Sequence, residues 1–265
     1  MIATPLYRGQ GLGNQLANYC AVRCLALDKG YDFGVQFPEN FKGASFMNLY
    51  MGLTVVGGKT SVEGQTPEIL PDGFTSYYAE EQKYDGTLNV TDYDFNIRKL
   101  PDNTLVHGLL QGIGYIYHRR REVIDWLDTE YLYMPRDLCV INIRGGEYKY
   151  VPDFILPKSY FENAIELMKK KNPAMRFEIH TDDPEYAKKM FPEYEVISDI
   201  GLNWRSIRYA KNLIISNSTF AILPAWINVA ADVIAPMYFA GHNVGKWSLK
   251  QNDMRSQAPL WQFII

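Results

Sequence analysis

Residues Leu138 to Tyr148 read L-C-V-I-N-I-R-G-G-E-Y, and no other stretch limits the fold as tightly. Leu138, Cys139, Val140, Ile141 and Ile143 make an almost uninterrupted apolar run rich in β-branched residues. That is the pattern of a strand buried on both faces of a parallel sheet, not of one alternating between core and water. It predicts a central strand of an α/β protein. The run stops at Arg144, and Gly145 and Gly146 let the backbone turn sharply before Glu147. In an open α/β sheet, ligands bind at the edge where such strands end. Arg144 then has two readings: a planar fork of donors for a phosphate, or half of an ion pair with a surface carboxylate.

The 265 residues leave room for two domains, each with its own core. A net charge of -3 excludes a broad nucleic-acid or anionic-membrane surface, so any bound anion is held locally. Cys20 and Cys24 lie four apart on an expected helix, and a total of three cysteines gives neither a disulfide framework nor a zinc site. The N-terminal residues lack the basic and apolar regions of a signal peptide, and no run of about 18 apolar residues occurs anywhere. A soluble, cytoplasmic protein is expected, with no nucleic-acid partner and no integral membrane segment.

Ile2 to Tyr7 is a strand candidate, followed by Arg8-Gly9-Gln10-Gly11-Leu12-Gly13 and a helix from about Asn14 to Lys29. Leu16, Tyr19, Cys20, Leu25 and Ala26 form its buried stripe, and Gly30 is its C-terminal stop. A strand, glycine loop and helix present free backbone N–H groups at the helix start, which favours an anion; a tight turn without a ligand stays open. The dinucleotide fingerprint is absent, because Leu16 holds the third glycine's place, and Asp32 precedes rather than ends the second strand at Tyr31 to Phe37. A dinucleotide-dependent redox enzyme is therefore disfavoured. From Pro38 to about Asp102 no period emerges. A strand at Thr104 to Leu110 and a helix at Arg119 to Leu127 follow, and the domain boundary is placed between 132 and 133.

Beyond the central strand, Pro157 to Lys171 is an amphipathic helix with Phe161, Ala164, Ile165 and Met168 on one face. A strand at Arg176 to His180 leads to Asp183, an N-cap before Pro184 at the first helical position. The cap explains Asp183 but not its neighbour Asp182. A brief strand at Glu195 to Ser198, a helix from Asn203 to Lys211, a strand at Leu213 to Ile215 and a helix from Ala221 to Asn228 complete the half. Three strand-to-helix junctions thus carry Arg144, the Asp182-Asp183 pair and Ser216-Asn217-Ser218-Thr219, and in a parallel sheet all three share one edge.

These junctions carry a resemblance to a known family. Gly11-Leu12-Gly13-Asn14-Gln15 is similar to a G-G-L-G-N-Q opening with Gln10 replacing the first glycine, and Gly108, Gln111 and Tyr117 resemble G-Y-x-Q-x-x-Y-F. Asn142 to Tyr148 lies on H-x-R-R-G-D-Y, Thr181-Asp182-Asp183 on S-D-D, and Ile214 to Phe220 on I-I-A-N-S-T-F. Five such segments in order resemble the α-1,2-fucosyltransferase family, within the group that includes α-1,6-fucosyltransferases and protein O-fucosyltransferases. The resemblance implies an α/β, GT-B-like fold of two Rossmann-like domains facing across a cleft. Residues 1–132 would be the acceptor side, and 133–265 would bind the nucleotide-sugar. It implies inverting transfer of fucose from GDP-fucose to a hydroxyl of a glycan acceptor, without metal or cofactor. Arg144 and the helix start at Ser218-Thr219 could neutralise the leaving pyrophosphate in a metal's stead.

The donor contacts so nominated are Gly11, Gly13, Asn14, Asn142, Asp182, Asp183, Asn217, Ser218 and Thr219. Asn142 replaces a family histidine, Gly145 the second arginine, Glu147 an aspartate, and Asn203 falls where an aspartate is usual. These changes keep two alternatives in view: a transferase using another nucleotide-sugar, and a non-catalytic carbohydrate- or nucleotide-binding protein. Inverting transfer also needs a group to take the acceptor's proton. Glu147 lies close enough to the strand end to be engaged in orienting Arg144, so Asp153, on the next loop, is preferred. The resemblance leans the same way, since α-1,6-fucosyltransferases carry a proposed base just beyond this motif; the departing phosphate oxygen is the third option.

Overall fold

Every strand pairing among the described residues is parallel. Parallel neighbours cannot be joined by a tight turn, so the chain must cross a sheet face between them and gather its strand ends on one edge. The computed structural model describes residues 1–49, 54–57, 69–80, 93–242, 254–256, 258 and 260–265. They form two units, Met1–Asp128 and Thr129–Ile265, each Rossmann-like and built on its own sheet.

The first unit contains β1 (Ile2–Pro5), α1 (Leu12–Lys29), β2 (Phe33–Gln36), β3 (Thr54–Val56), β4 (Ser76–Ala79), β5 (Thr104–His107) and α2 (Arg120–Trp126), with sheet order β3-β2-β1-β5-β4. Helix α1 starts at Leu12, two residues before the sequence expectation, with Gly11 as its extended N-cap; it ends at Gly30, whose φ of 67° is the left-handed conformation a glycine adopts freely. Strands β3 and β4 lie in the stretch where no period was found. They are short and none of their positions except Val56 is buried, so no apolar pattern announces them. Residues 50–53, 58–68 and 81–92 of that stretch lie outside the described residues.

The second unit runs β6 (Leu138–Ile143), α3 (Lys158–Lys171), β7 (Arg176–Thr181), α4 (Pro184–Met190), β8 (Glu195–Ile197), α5 (Ile200–Tyr209), β9 (Asn212–Ile214), α6 (Thr219–Ile227), β10 (Asp232–Pro236) and β11 (Gln262–Ile264). Its sheet order is β11-β10-β9-β6-β7-β8. The chain builds outward from β6 through β7 and β8, then returns to β6's other side and builds through β9, β10 and β11. The order therefore reverses between β6 and β9, and in the first unit between β1 and β5; such a reversal opens a crevice at the strands' C-terminal edge.

Two expectations are corrected. Helix α5 begins at Ile200, not Asn203, because Asp199 accepts the Leu202 N–H (2.7 Å) as N-cap; Asn203 lies inside the helix. Strands β10 and β11 were not anticipated, since both are short and β11 is only half-buried. Among the described residues no helix is long and apolar enough to cross a membrane.

All six residues of β6 are buried. Cys139, Ile141 and Ile143 share a core with Tyr160, Phe161 and Met168 of α3. Replacing a fully buried isoleucine by alanine loses transfer energy and leaves a cavity, together about 2–5 kcal/mol. Ile141→Ala should lower the unfolding free energy of the second unit by that amount in urea titrations. A loss below about 1 kcal/mol would show that β6 is not packed as described.

Candidate functional site

At the reversal point of the second unit, buried side chains tie the strand ends together. Ser216 Oγ donates to Asn142 Oδ1 (2.5 Å) and Asn142 Nδ2 donates to the His180 carbonyl (3.2 Å), so one asparagine joins the ends of β6, β7 and β9. Asn217 Nδ2 donates to the carbonyls of Phe154 (2.8 Å) and Phe239 (2.5 Å), pinning the start of α6 to the loops after β6 and β10. Ser218 is the N-cap of α6 but makes no side-chain cap bond. The first N–H groups of α6, at Thr219 and Phe220, therefore have no cap acceptor among the described residues, which suits an anion.

Arg144 leaves β6 with its side chain 26% exposed. Its Nη1 donates to Asp182 Oδ2 (2.5 Å) and its Nη2 to Glu147 Oε1 (2.9 Å), while the guanidinium carbon lies 5.2 Å from the Tyr148 ring centroid. Asp182 also accepts the Gly145 N–H (2.9 Å). Asp183 accepts the Tyr186 N–H (3.1 Å) as N-cap of α4 and pairs with Lys149 Nζ (2.6 Å). That ammonium, more than any other influence, holds the Asp183 carboxyl below its ordinary range. Each aspartate thus has an internal use: one caps a helix, the other orients Arg144 and its turn.

The turn's glycines follow from this closeness. A Cβ on Gly145 would stand 2.6 Å from Asp183 Cβ, and one on Gly146, where φ is 35°, would run into Asp182 Oδ2. A side chain at 145 would force Asp183 to shift. Glu147 is 78% exposed and bonded to Arg144. Asp153 is exposed on the loop after β6; its carbonyl accepts the Gly241 N–H (2.6 Å), while its carboxylate has no hydrogen-bond partner among the described residues. Asn203 Oδ1 accepts from His180 Nδ1 (2.9 Å), and its Nδ2 donates to the Thr181 carbonyl (3.0 Å). It is a buried brace between α5 and β7.

Gly11, Gly13 and Asn14 belong to the first unit, at the start of α1. There the sequence analysis missed Glu80, which directly follows β4. Its carboxylate accepts the Leu110 N–H (2.7 Å) and the Tyr115 hydroxyl (2.6 Å). Leu110 has a φ of 44°, a conformation that side chains other than glycine's disfavour, and the Glu80 bond helps hold it. A Cβ on Gly108 would collide with Glu80. Burial raises the Glu80 pKa, against the opposing pull of its hydrogen bonds. Glu80 stands next to Glu81 among residues without a period, and nothing in the sequence marks this role. Among the described residues, no group of three or more His, Cys, Asp or Glu is placed to hold a metal ion.

Comparison with known proteins places the fold. No protein-family model matches the chain. It is 30% identical over 125 residues to the O-antigen biosynthesis glycosyltransferase WbnK of Escherichia coli, a match spanning 41% of this chain and 41% of that protein. Its structure is similar to that of an Arabidopsis thaliana FUT1 mutant in complex with GDP, with a TM-score of 0.52 at 11% identity, over 89% of this chain and 70% of that one. Two Rossmann-like units on parallel sheets, similar to that structure, define a GT-B fold.

Because folding raises the Glu80 pKa, its contribution to stability is complete below the unfolded value near 4.5 and is lost as pH rises through the higher folded value. The stability difference between wild type and Glu80→Gln should therefore shrink or change sign in the wild type's disfavour as pH rises from about 4 to about 7. Denaturant titrations at several pH values measure it; a flat difference would contradict the assignment.

Proposed function

We propose that the chain is an inverting glycosyltransferase that moves fucose from GDP-fucose to a hydroxyl of a glycan acceptor. The observation that carries this is the placement of Arg144 and the uncapped start of α6 on either side of the β6/β9 reversal, where Asn142 and Ser216 lock the two strand ends together. The GT-B fold and the partial match to a glycosyltransferase support it. In this reading the donor's diphosphate lies between the Arg144 guanidinium and the N–H groups of Thr219 and Phe220. Charge leaving with GDP is met by groups already in place, with no metal required.

The carboxylates around Arg144 decide how this works. Arg144 and Lys149 face Glu147, Asp182 and Asp183, so the cluster carries one more negative charge than positive. Lys149 occupies Asp183, and Asp182 is held by Gly145 as well as by Arg144. Glu147 is the exposed partner, and an arriving phosphate displaces it, since an exposed ion pair contributes little. Asp182 then remains as the group that keeps the guanidinium oriented. Asn142, Asp182, Asp183 and Asn217 accordingly position the donor site rather than line it, whereas Arg144, Ser218 and Thr219 meet the donor; Gly11, Gly13 and Asn14 lie at the start of α1 in the first unit. Asp153, whose carboxylate has no hydrogen-bond partner among the described residues, takes the acceptor's proton.

Turnover with GDP-fucose and a glycan array as acceptors, followed by GDP release, tests the reading. Arg144→Ala should lower turnover about a hundredfold, the loss of about 3 kcal/mol of transition-state stabilisation. Near-normal turnover in that variant would remove Arg144 from the mechanism. Activity should persist in EDTA, and restoration by magnesium or manganese after its loss would refute the metal-free route. Asp153→Asn should lower turnover more than about tenfold with GDP affinity unchanged; unaltered turnover would return the proton to Glu147 or to the leaving phosphate.

A further inference from the structure

We propose that the reversal point of the first unit, between β1 and β5, is a binding site for a neutral sugar ring, held by Gln10, His107 and Gln111. This deepens the glycosyltransferase reading and rests on it for the choice of sugar. The two loops that flank the reversal meet around the first turn of α1. The His107 ring, at the end of β5, packs edge-on against Tyr7 with centroids 4.8 Å apart. The Tyr7 N–H reaches Gln10 Oε1 (3.4 Å), and Gln111 Nε2 donates to Asn14 Oδ1 (2.8 Å) on α1.

Each of the three side chains keeps one polar atom buried without a partner among the described residues: Gln10 Nε2, His107 Nε2 and Gln111 Oε1. Gln10 and His107 are themselves more than nine-tenths buried. Buried polar atoms are ordinarily satisfied, and three lapses flanking one crevice point to a ligand. Next to Gln10 the surface is open: Gly11 is exposed, and a Cβ there would meet nothing within 4 Å. The loop is also built for the purpose, with Leu110 held at a φ of 44° by Glu80.

The atoms identify the ligand's chemistry. Gln10 Nε2 donates, Gln111 Oε1 accepts, and an imidazole nitrogen does either according to tautomer. A phosphate brings acceptors alone and would face Gln111 Oε1 with its own kind, while Glu80 stands directly behind the loop. Hydroxyls both donate and accept, and a sugar carries several at adjacent carbons. Burial pushes the His107 pKa down to about 4, so the ring is neutral at neutral pH.

The test uses the full chain, saturation-transfer NMR with L-fucose and with D-galactose as probes, and calorimetry with GDP. His107→Phe keeps the ring packed on Tyr7 and removes both nitrogens. It should weaken sugar binding about tenfold, the loss of one hydrogen bond, and leave GDP affinity within about twofold. His107→Gln, which keeps a donor and an acceptor, should restore sugar binding to within about threefold of wild type. Gln111→Leu, weakening the same sugar similarly, decides the matter if His107→Phe melts well below wild type. An effect on L-fucose identifies the donor's sugar and one on D-galactose the acceptor's; either supports the site. Sugar binding that is absent from the wild type, or unchanged in these variants, overturns it. Failure of the wild type to bind GDP would instead sink the glycosyltransferase reading and leave sugar binding at His107 standing.

Discussion

A strand can reach a parallel neighbour only by carrying the chain across a face of the sheet, and both units of this protein are arranged by that requirement. The crossings bury the sheets, which is why β6 can be apolar at nearly every position. They also gather every strand's C-terminal end on one edge. Where the order reverses, successive crossings leave toward opposite faces and the edge is not covered. The first unit reverses between β1 and β5 and the second between β6 and β9; Ser216 and Asn142 bond at the second, and Glu80, after β4, bonds to the loop that follows β5.

Strand ends present backbone groups that the ladder no longer satisfies, and side chains meet part of that need. Asn142, Asn217 and Glu80 each bond to main-chain groups of other segments. These bonds fix loops that would otherwise sample many conformations, so a ligand meets groups already in position and less ordering cost is charged against its affinity. The same economy governs charge at the second unit's edge. Asp182 and Asp183 do not lie open to solvent as a free acidic pair; one orients a guanidinium and the other caps a helix beside a lysine. Close approach of those aspartates in turn forces glycine at 145 and 146.

Much of this was legible in the residues. The apolar run at Leu138 to Ile143, the amphipathic period of α3, the Asp183-Pro184 start of α4 and the Gly30 stop of α1 are local signals, set by burial on two faces, by the helical repeat and by backbone sterics. Short edge strands such as β3, β4 and β11 lack such signals, because only one or neither of their faces reaches a core. The start of α5 was misplaced because its capping aspartate, Asp199, sits in a run with little periodicity.

Sequence alone determined the α/β class, the central strand and the three junctions that bear Arg144, the aspartates and the Ser-Asn-Ser-Thr run, since each depends on neighbours along the chain. Tertiary structure alone decided what those polar groups do. It set strand order, and with it which junctions flank a reversal; it paired Arg144 with Asp182, 38 positions away, and Glu80 with Leu110, 30 positions away. Hydrogen bonds and ion pairs act over a few ångströms of space whatever the separation along the chain. Whether an aspartate meets a ligand or an arginine is therefore fixed only when the fold has brought its partner within reach.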